Sequence, residues 1–160
     1  MPIKVGDKIP QATFMTFTAD GPAPLTSGDL VSGKTVALFA LPGAFTPTCS
    51  AKHVPGFKAH AAELKAKGVD AIACVSVNDV FVMNAWGKDQ KADGKVLMLA
   101  DGNGDFTRAM DLVMDGKGNG MGERSKRYAM IVDNGTITAL QVEQPGQFEV
   151  SSAEAVLAAL

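Results

Sequence analysis

Cysteine and histidine are scarce, two of each in 160 residues, and that scarcity excludes several kinds of protein. Cys49 and Cys74 are too few for the disulfide framework of a secreted domain, and they form no C-x-x-C pair. A reducing, cytoplasmic setting is expected. Cys49 and His53 stand four apart, as a metal pair might, but no further Cys or His cluster completes a ligand set, so no metal is expected. A formal net charge of -2 leaves no basic footprint for nucleic acid or an anionic membrane. Apolar runs are no longer than a strand, and Met1–Asp7 lacks the apolar core of a signal peptide.

Other motifs fail on inspection. Asp101–Asp105 imitates the start of a calcium loop, but Phe106 replaces the turn glycine and Leu112 the bidentate glutamate. The glycine run 116–122 lacks the spacing and Lys-Ser/Thr ending of a phosphate loop. Repeats and linkers are missing too. With 46% hydrophobic residues, one domain over 1–160 is expected.

What is present reads as alternating strands and helices. Residues 11–18 alternate like a strand, and the cluster 20–24 reads as a loop. A buried strand, Thr35–Ala40, precedes a helical pattern over 48–67 that Pro55 should kink or widen near Ala51, and Gly68 ends it. Residues 69–77 predict a central strand, and Asn78 or Asp79 a cap for a helix through Trp86. Residues 95–100 give another strand, and Asp105 can cap a helix through Leu112. The stretch 115–122 is too glycine-rich for a regular element. Asn134-Gly135 between apolar runs signals a hairpin, and Ser151 or Ser152 caps a helix over 153–160. The class is α/β with a mixed central sheet flanked by helices.

The chemistry concentrates in Pro42-Gly43-Ala44-Phe45-Thr46-Pro47-Thr48-Cys49. A free cysteine titrates at roughly 8.5, and a helix N-terminus with a nearby cation favours its thiolate, the nucleophilic form. Cys49 sits at such a start. Thr46 and Thr48 supply hydroxyl groups, while Pro42 and Pro47 stiffen the loop. Cys74 lies inside an apolar run and reads as a buried thiol. Arg124 and Arg127 are both candidates for the cation.

The spacing P-x-x-x-T-x-x-C resembles the active-site signature of the peroxiredoxins, and residues 42–57 are similar to the peroxiredoxin 5, or type II, subfamily. The stretches 74–79, 83–86 and 124–132 agree in order and spacing. The resemblance implies a thioredoxin-like fold with an N-terminal strand extension and a C-terminal β-hairpin plus helix. It implies a peroxidase that reduces hydrogen peroxide and alkyl hydroperoxides through a cysteine sulfenic acid, without metal, flavin or haem. The catalytic set would be Cys49, Thr46, Arg127 and Pro42, with Thr48, Cys49 and Arg127 contacting substrate. Arg127 holds the family's arginine position, leaving Arg124 a solvated or dimer-side charge.

Some family members carry a resolving cysteine between the final hairpin and helix, where this chain reads Gln147-Phe148-Glu149-Val150-Ser151-Ser152. Reduction should therefore be intermolecular, by glutathione or a glutaredoxin, with thioredoxin the weaker alternative. The subfamily implies a homodimer. A non-enzymatic redox sensor or holdase-like scaffold is the alternative. A disulfide reductase would want a second cysteine where Thr46 or Lys52 stands.

Overall fold

The computed structural model describes residues 3–160, so Met1 and Pro2 of the N-terminal segment lie outside it. Its main sheet has seven strands in the order β2-β1-β5-β4-β3-β8-β9. They are β1 (Thr13–Thr18), β2 (Gly21–Thr26), β3 (Thr35–Ala40), β4 (Ala71–Ser76), β5 (Leu97–Ala100), β8 (Tyr128–Asp133) and β9 (Thr136–Val142). The three central strands β3, β4 and β5 run parallel, and the outer pairings are antiparallel, so the sheet is mixed as expected. Parallel strands need covering on both faces, and both are covered.

Alternation along β3 divides the core. Ala37, Phe39 and Leu41 point to a cluster built with α2 (Val54–Ala59), α3 (Ala61–Ala66), α4 (Val80–Asp89) and α6 (Ala153–Ala158). Val36, Leu38 and Ala40 point to the other cluster, with α1 (Ser27–Val31) and α5 (Asp105–Ala109). Cys49 and Cys74 share the first cluster.

Several expectations shift. Residues 21–26 form a strand, not a loop, because Gly21 takes φ 103° in a tight turn that returns the chain to pair Thr18↔Gly21 through Thr13↔Thr26. Its two prolines are tolerated on this edge, where a ladder hydrogen bond is not required of every residue. The glycine-rich run sits inside a second, two-stranded hairpin, β6 (Val113–Asp115) with β7 (Glu123–Ser125), closed by Gly116 N–H donating to Gly122 O at 2.7 Å. Asp105 does not cap α5. Asp101 does that work from four residues earlier, accepting from Phe106 N–H at 3.1 Å and Thr107 N–H at 2.9 Å. The final helix ends at Ala158, and Ser152 caps it through Ala155 N–H.

The pattern over 48–67 divides into a π-helical turn, Cys49–His53, followed by α2 and α3, with a break at His60. Pro55 explains the turn. It has no N–H for the Ala51 carbonyl and its ring crowds that carbonyl, so the preceding turn widens and Val54 N–H bonds back to Cys49 O.

Candidate active site

Strand β3 delivers the loop 41–48 at the carboxyl edge of the parallel strands, and neighbouring elements hold it there. Ala44 N–H donates to Asn78 Oδ1 at 3.0 Å, and Ser76 Oγ donates to the same oxygen at 2.6 Å. Asn78 thus pins the loop, while Asp79 beside it caps α4 through Val82 N–H at 2.8 Å. Trp86 Nε1–H donates to Ser50 Oγ at 3.0 Å, tying α4 to the residue after Cys49. Phe45 adopts φ 63° and is 53% exposed; a bulky residue there costs about 1 kcal/mol or more, so the loop's shape is imposed by these anchors.

Glycine at position 43 has a reason as well. A Cβ there would stand 3.0 Å from Arg124 Nη1 and 3.3 Å from Thr46 Cγ2. Arg124 Nε–H donates to Met121 O at 2.9 Å, and its Nη1 lies 3.5 Å from Pro42 O. Part-buried, it packs on the loop. The Thr46 hydroxyl donates to Gly43 O at 2.7 Å, which leaves the oxygen's lone pairs as the free acceptor. Thr48 precedes the π turn and makes no side-chain cap.

Cys49 is fully buried. Arg127 Nη2 lies 3.1 Å from its Sγ, bringing together the cysteine and the arginine expected from the sequence. The other terminal nitrogen, Nη1, is 2.8 Å from His53 Nδ1. His53 Nε2 is 2.9 Å from Ser151 O. These partners fix the tautomer, because a carbonyl only accepts and a guanidinium only donates. His53 is neutral, with its proton on Nε2 and its Nδ1 lone pair facing Arg127. Burial, then the Arg127 charge, push the His53 pKa down to about 3.

A further layer supports the histidine. Glu143 Oε2 accepts from the N–H groups of Glu149, Val150 and Ser151 at 2.7, 2.8 and 2.8 Å, and from Ser151 Oγ at 2.7 Å. Burial works against the ionised carboxyl, yet these donors hold Glu143 below its ordinary pKa. Phe148, on the same turn, sets its ring edge-on to His53 at 5.1 Å and 5.9 Å from Arg127 Cζ. Phe39 stacks on Phe57 at 4.1 Å and tilts against His53 at 4.8 Å, filling the space beneath.

From the sequence, His53 stands out only by its spacing from Cys49, and nothing there points to the parts played by Glu143, Phe148 and the Ser151 carbonyl. The available signal was a buried-face histidine one turn beyond the cysteine, a polar residue that must find partners. Cys74 lies on β4 between Phe39 and Met98, fully buried; burial and then the neighbouring Cys49 charge raise its pKa well above the ordinary value. Among the described residues no group of three or more His, Cys, Asp or Glu could hold a metal, and no helix is long and apolar enough to cross a membrane.

The family model "Redoxin" matches residues 4–157. "Peroxiredoxin-2E-2, chloroplastic" of Oryza sativa subsp. japonica is 53% identical over 99% of this chain and 72% of its own length. "Peroxiredoxin-2D" of Arabidopsis thaliana is 49% identical over 99% of both chains. The crystal structure of reduced Prx3 in complex with H2O2 from Vibrio vulnificus superposes with a TM-score of 0.95 at 55% identity, covering 98% of each chain.

Proposed function

As the chain belongs to the redoxin family and, within it, to the peroxiredoxins, it is a thiol-dependent peroxidase of thioredoxin-like fold, and we propose that Cys49 is its peroxide-reactive thiol. The observation that carries this reading is the 3.1 Å contact between Arg127 Nη2 and Cys49 Sγ at the start of the helix. A cation there favours the thiolate. Family membership sets aside the sensor or holdase reading.

In the proposed reaction the Cys49 thiolate attacks one oxygen of a hydroperoxide in line with the O–O bond. The S–O bond forms as the O–O bond breaks, sulfur is oxidised to the sulfenic acid, and the leaving oxygen takes a proton to become water or an alcohol. Arg127 donates toward sulfur and toward the oxygen that gains charge, with main-chain N–H groups of the helix start beside Thr48. Thr46 offers its free lone pairs to the peroxide O–H. Pro42 shields the thiolate from bulk water.

The hydrogen peroxide bound by the Vibrio protein supports hydrogen peroxide as a substrate, with alkyl hydroperoxides beside it. Glutathione or a glutaredoxin is the proposed reductant, thioredoxin the lesser candidate, in a cytoplasmic homodimer. Peroxide consumption with excess thiol donor tests the assignment: Cys49→Ser should be inactive, and a Cys49→Ser enzyme that still turns over would end it.

A further inference from the structure

Arg127 has a feature that a peroxide-activating cation needs and that Arg108, paired with Asp105 and Glu123, lacks. Among the described residues it forms no ion pair with a carboxylate. A carboxylate partner would fix the guanidinium but cancel much of its charge beside the sulfur. A neutral acceptor fixes it and leaves the charge intact. His53 supplies that acceptor at 2.8 Å, and is itself fully buried, so it pays no competition from water.

The acceptor is in turn oriented. An imidazole can rotate about its Cβ–Cγ bond, and only one rotation offers Nδ1 to Arg127. The Nε2–H···O bond to Ser151 selects that one. Ser151 O is placed by a turn whose three consecutive N–H groups converge on Glu143 Oε2. Glu143 is itself anchored next to the arginine, because its N–H donates to Arg127 O at 2.9 Å. The loop closes on itself.

We propose that His53 is a positioning residue for peroxide reduction: a neutral, Nε2-protonated imidazole, oriented by the Glu143-gathered turn 149–151, that aims the Arg127 guanidinium at Cys49 without discharging it. The inference rests on the assignment of Cys49 and Arg127 above. It predicts that what His53 contributes to rate passes entirely through Arg127.

Two substitutions separate its contacts. In His53→Asn the side-chain oxygen stands near the place of Nδ1 and can still accept from Arg127, while the link to Ser151 is lost. In His53→Gln the amide N–H reaches the place of Nε2 and can still donate to Ser151 O, but the acceptor for Arg127 is lost. The second-order rate with hydrogen peroxide should fall about tenfold in His53→Gln, the scale of one hydrogen bond to a charged group. His53→Asn should stay within about threefold of the parent. In an Arg127→Gln background, His53→Gln should cost less than about twofold more.

Parental rate in His53→Gln, or its full loss multiplying that of Arg127→Gln, overturns the proposal. If His53→Gln does not fold, Glu143→Gln should give a smaller loss of the same kind, again absent without Arg127; a loss that persists there overturns it equally. Arg127→Gln at parental rate would remove the functional reading and this inference together, whereas a slow Arg127→Gln beside a fast His53→Gln removes this inference alone.

Discussion

Ala40 of β3 and Tyr128 of β8 face each other across an antiparallel ladder, at the last position of one strand and the first of the other. One residue further along β8, toward its N-terminus, is Arg127; a short loop beyond Ala40 leads to Cys49. The thiol and the guanidinium come from residues 78 apart in sequence, and this register brings their two segments side by side, so that the groups meet at 3.1 Å. A one-residue slip would turn every β8 side chain to the opposite face, sending Ala129 and Ile131 into the cluster that Tyr128 and Met130 now fill.

Arg127→Gln should lower the rate of peroxide reduction by about 10² to 10³, the usual cost of one preorganised donor at a site of developing charge. Arg124→Gln should cost far less. Arg124 binds the Met121 carbonyl and lies against Pro42 and Gly43, so its loss loosens the loop rather than the charge at sulfur. Stopped-flow rates for the two variants check this, and a larger loss at Arg124 would reverse the assignment.

The Tyr128 hydroxyl is the buried side-chain polar atom that lacks a hydrogen-bond partner among the described residues. Burial, then the Asp101 charge, raise its pKa further, so it stays a neutral phenol. An unpaired buried hydroxyl costs about 1–3 kcal/mol of desolvation. Tyr128→Phe should therefore leave stability unchanged or raise it by about 1 kcal/mol. Urea denaturation decides, and a loss above about 1 kcal/mol would mean that the hydroxyl is paired in solution.

The elements were legible where local chemistry decides them. The Asn134-Gly135 hairpin, a disturbed turn ahead of Pro55 and a cap at Asn78 or Asp79 are legible in the sequence, and so is the Thr46–Cys49 loop. Two kinds of feature were hidden. The β2 edge strand was masked by prolines, because its pairing depends on the β1 partner rather than on its own propensity. His53, Glu143 and Ser151 form a network across residues 98 and eight positions apart, and single-sequence periodicity carries no information on such contacts.

Stability should depend on pH through His53. Its folded pKa is about 3 while an unfolded histidine titrates near 6.5, so between those values the unfolded chain binds a proton that the fold refuses. The stability contribution is complete above about pH 6.5 and falls with acid, by up to about 1.4 kcal/mol per pH unit. His60 has the opposite sign: Glu63 first, and also Glu154, raise its pKa, giving stability below its unfolded value that is lost as pH rises through the folded one. His53→Gln should flatten the curve of urea midpoint against pH between 4 and 6, whereas His60→Gln should leave that window as it is and remove a decline above about pH 6.5. An unaltered slope in His53→Gln would contradict the buried neutral state.

The oxidised enzyme should be resolved by an external thiol. Serines occupy the end of the loop before α6, and Ser151 is committed there to His53 and Glu143 through its carbonyl, N–H and hydroxyl. Cys74 is the one other thiol. It shares an apolar cluster with Cys49, but it is held in a central strand paired on both sides, and its thiolate is suppressed by burial and by the Cys49 charge. Attack on a sulfenic acid requires a thiolate, and a central strand cannot move its cysteine toward another element without breaking its ladders. Cys74→Ser should therefore keep most of the peroxidase turnover with glutathione and glutaredoxin. Intact mass after one equivalent of peroxide should show a sulfenic acid on Cys49, converted by glutathione to a single mixed disulfide. A rapid, stoichiometric loss of two hydrogens that joins Cys49 to Cys74, with turnover abolished in Cys74→Ser, would establish an internal resolving step instead.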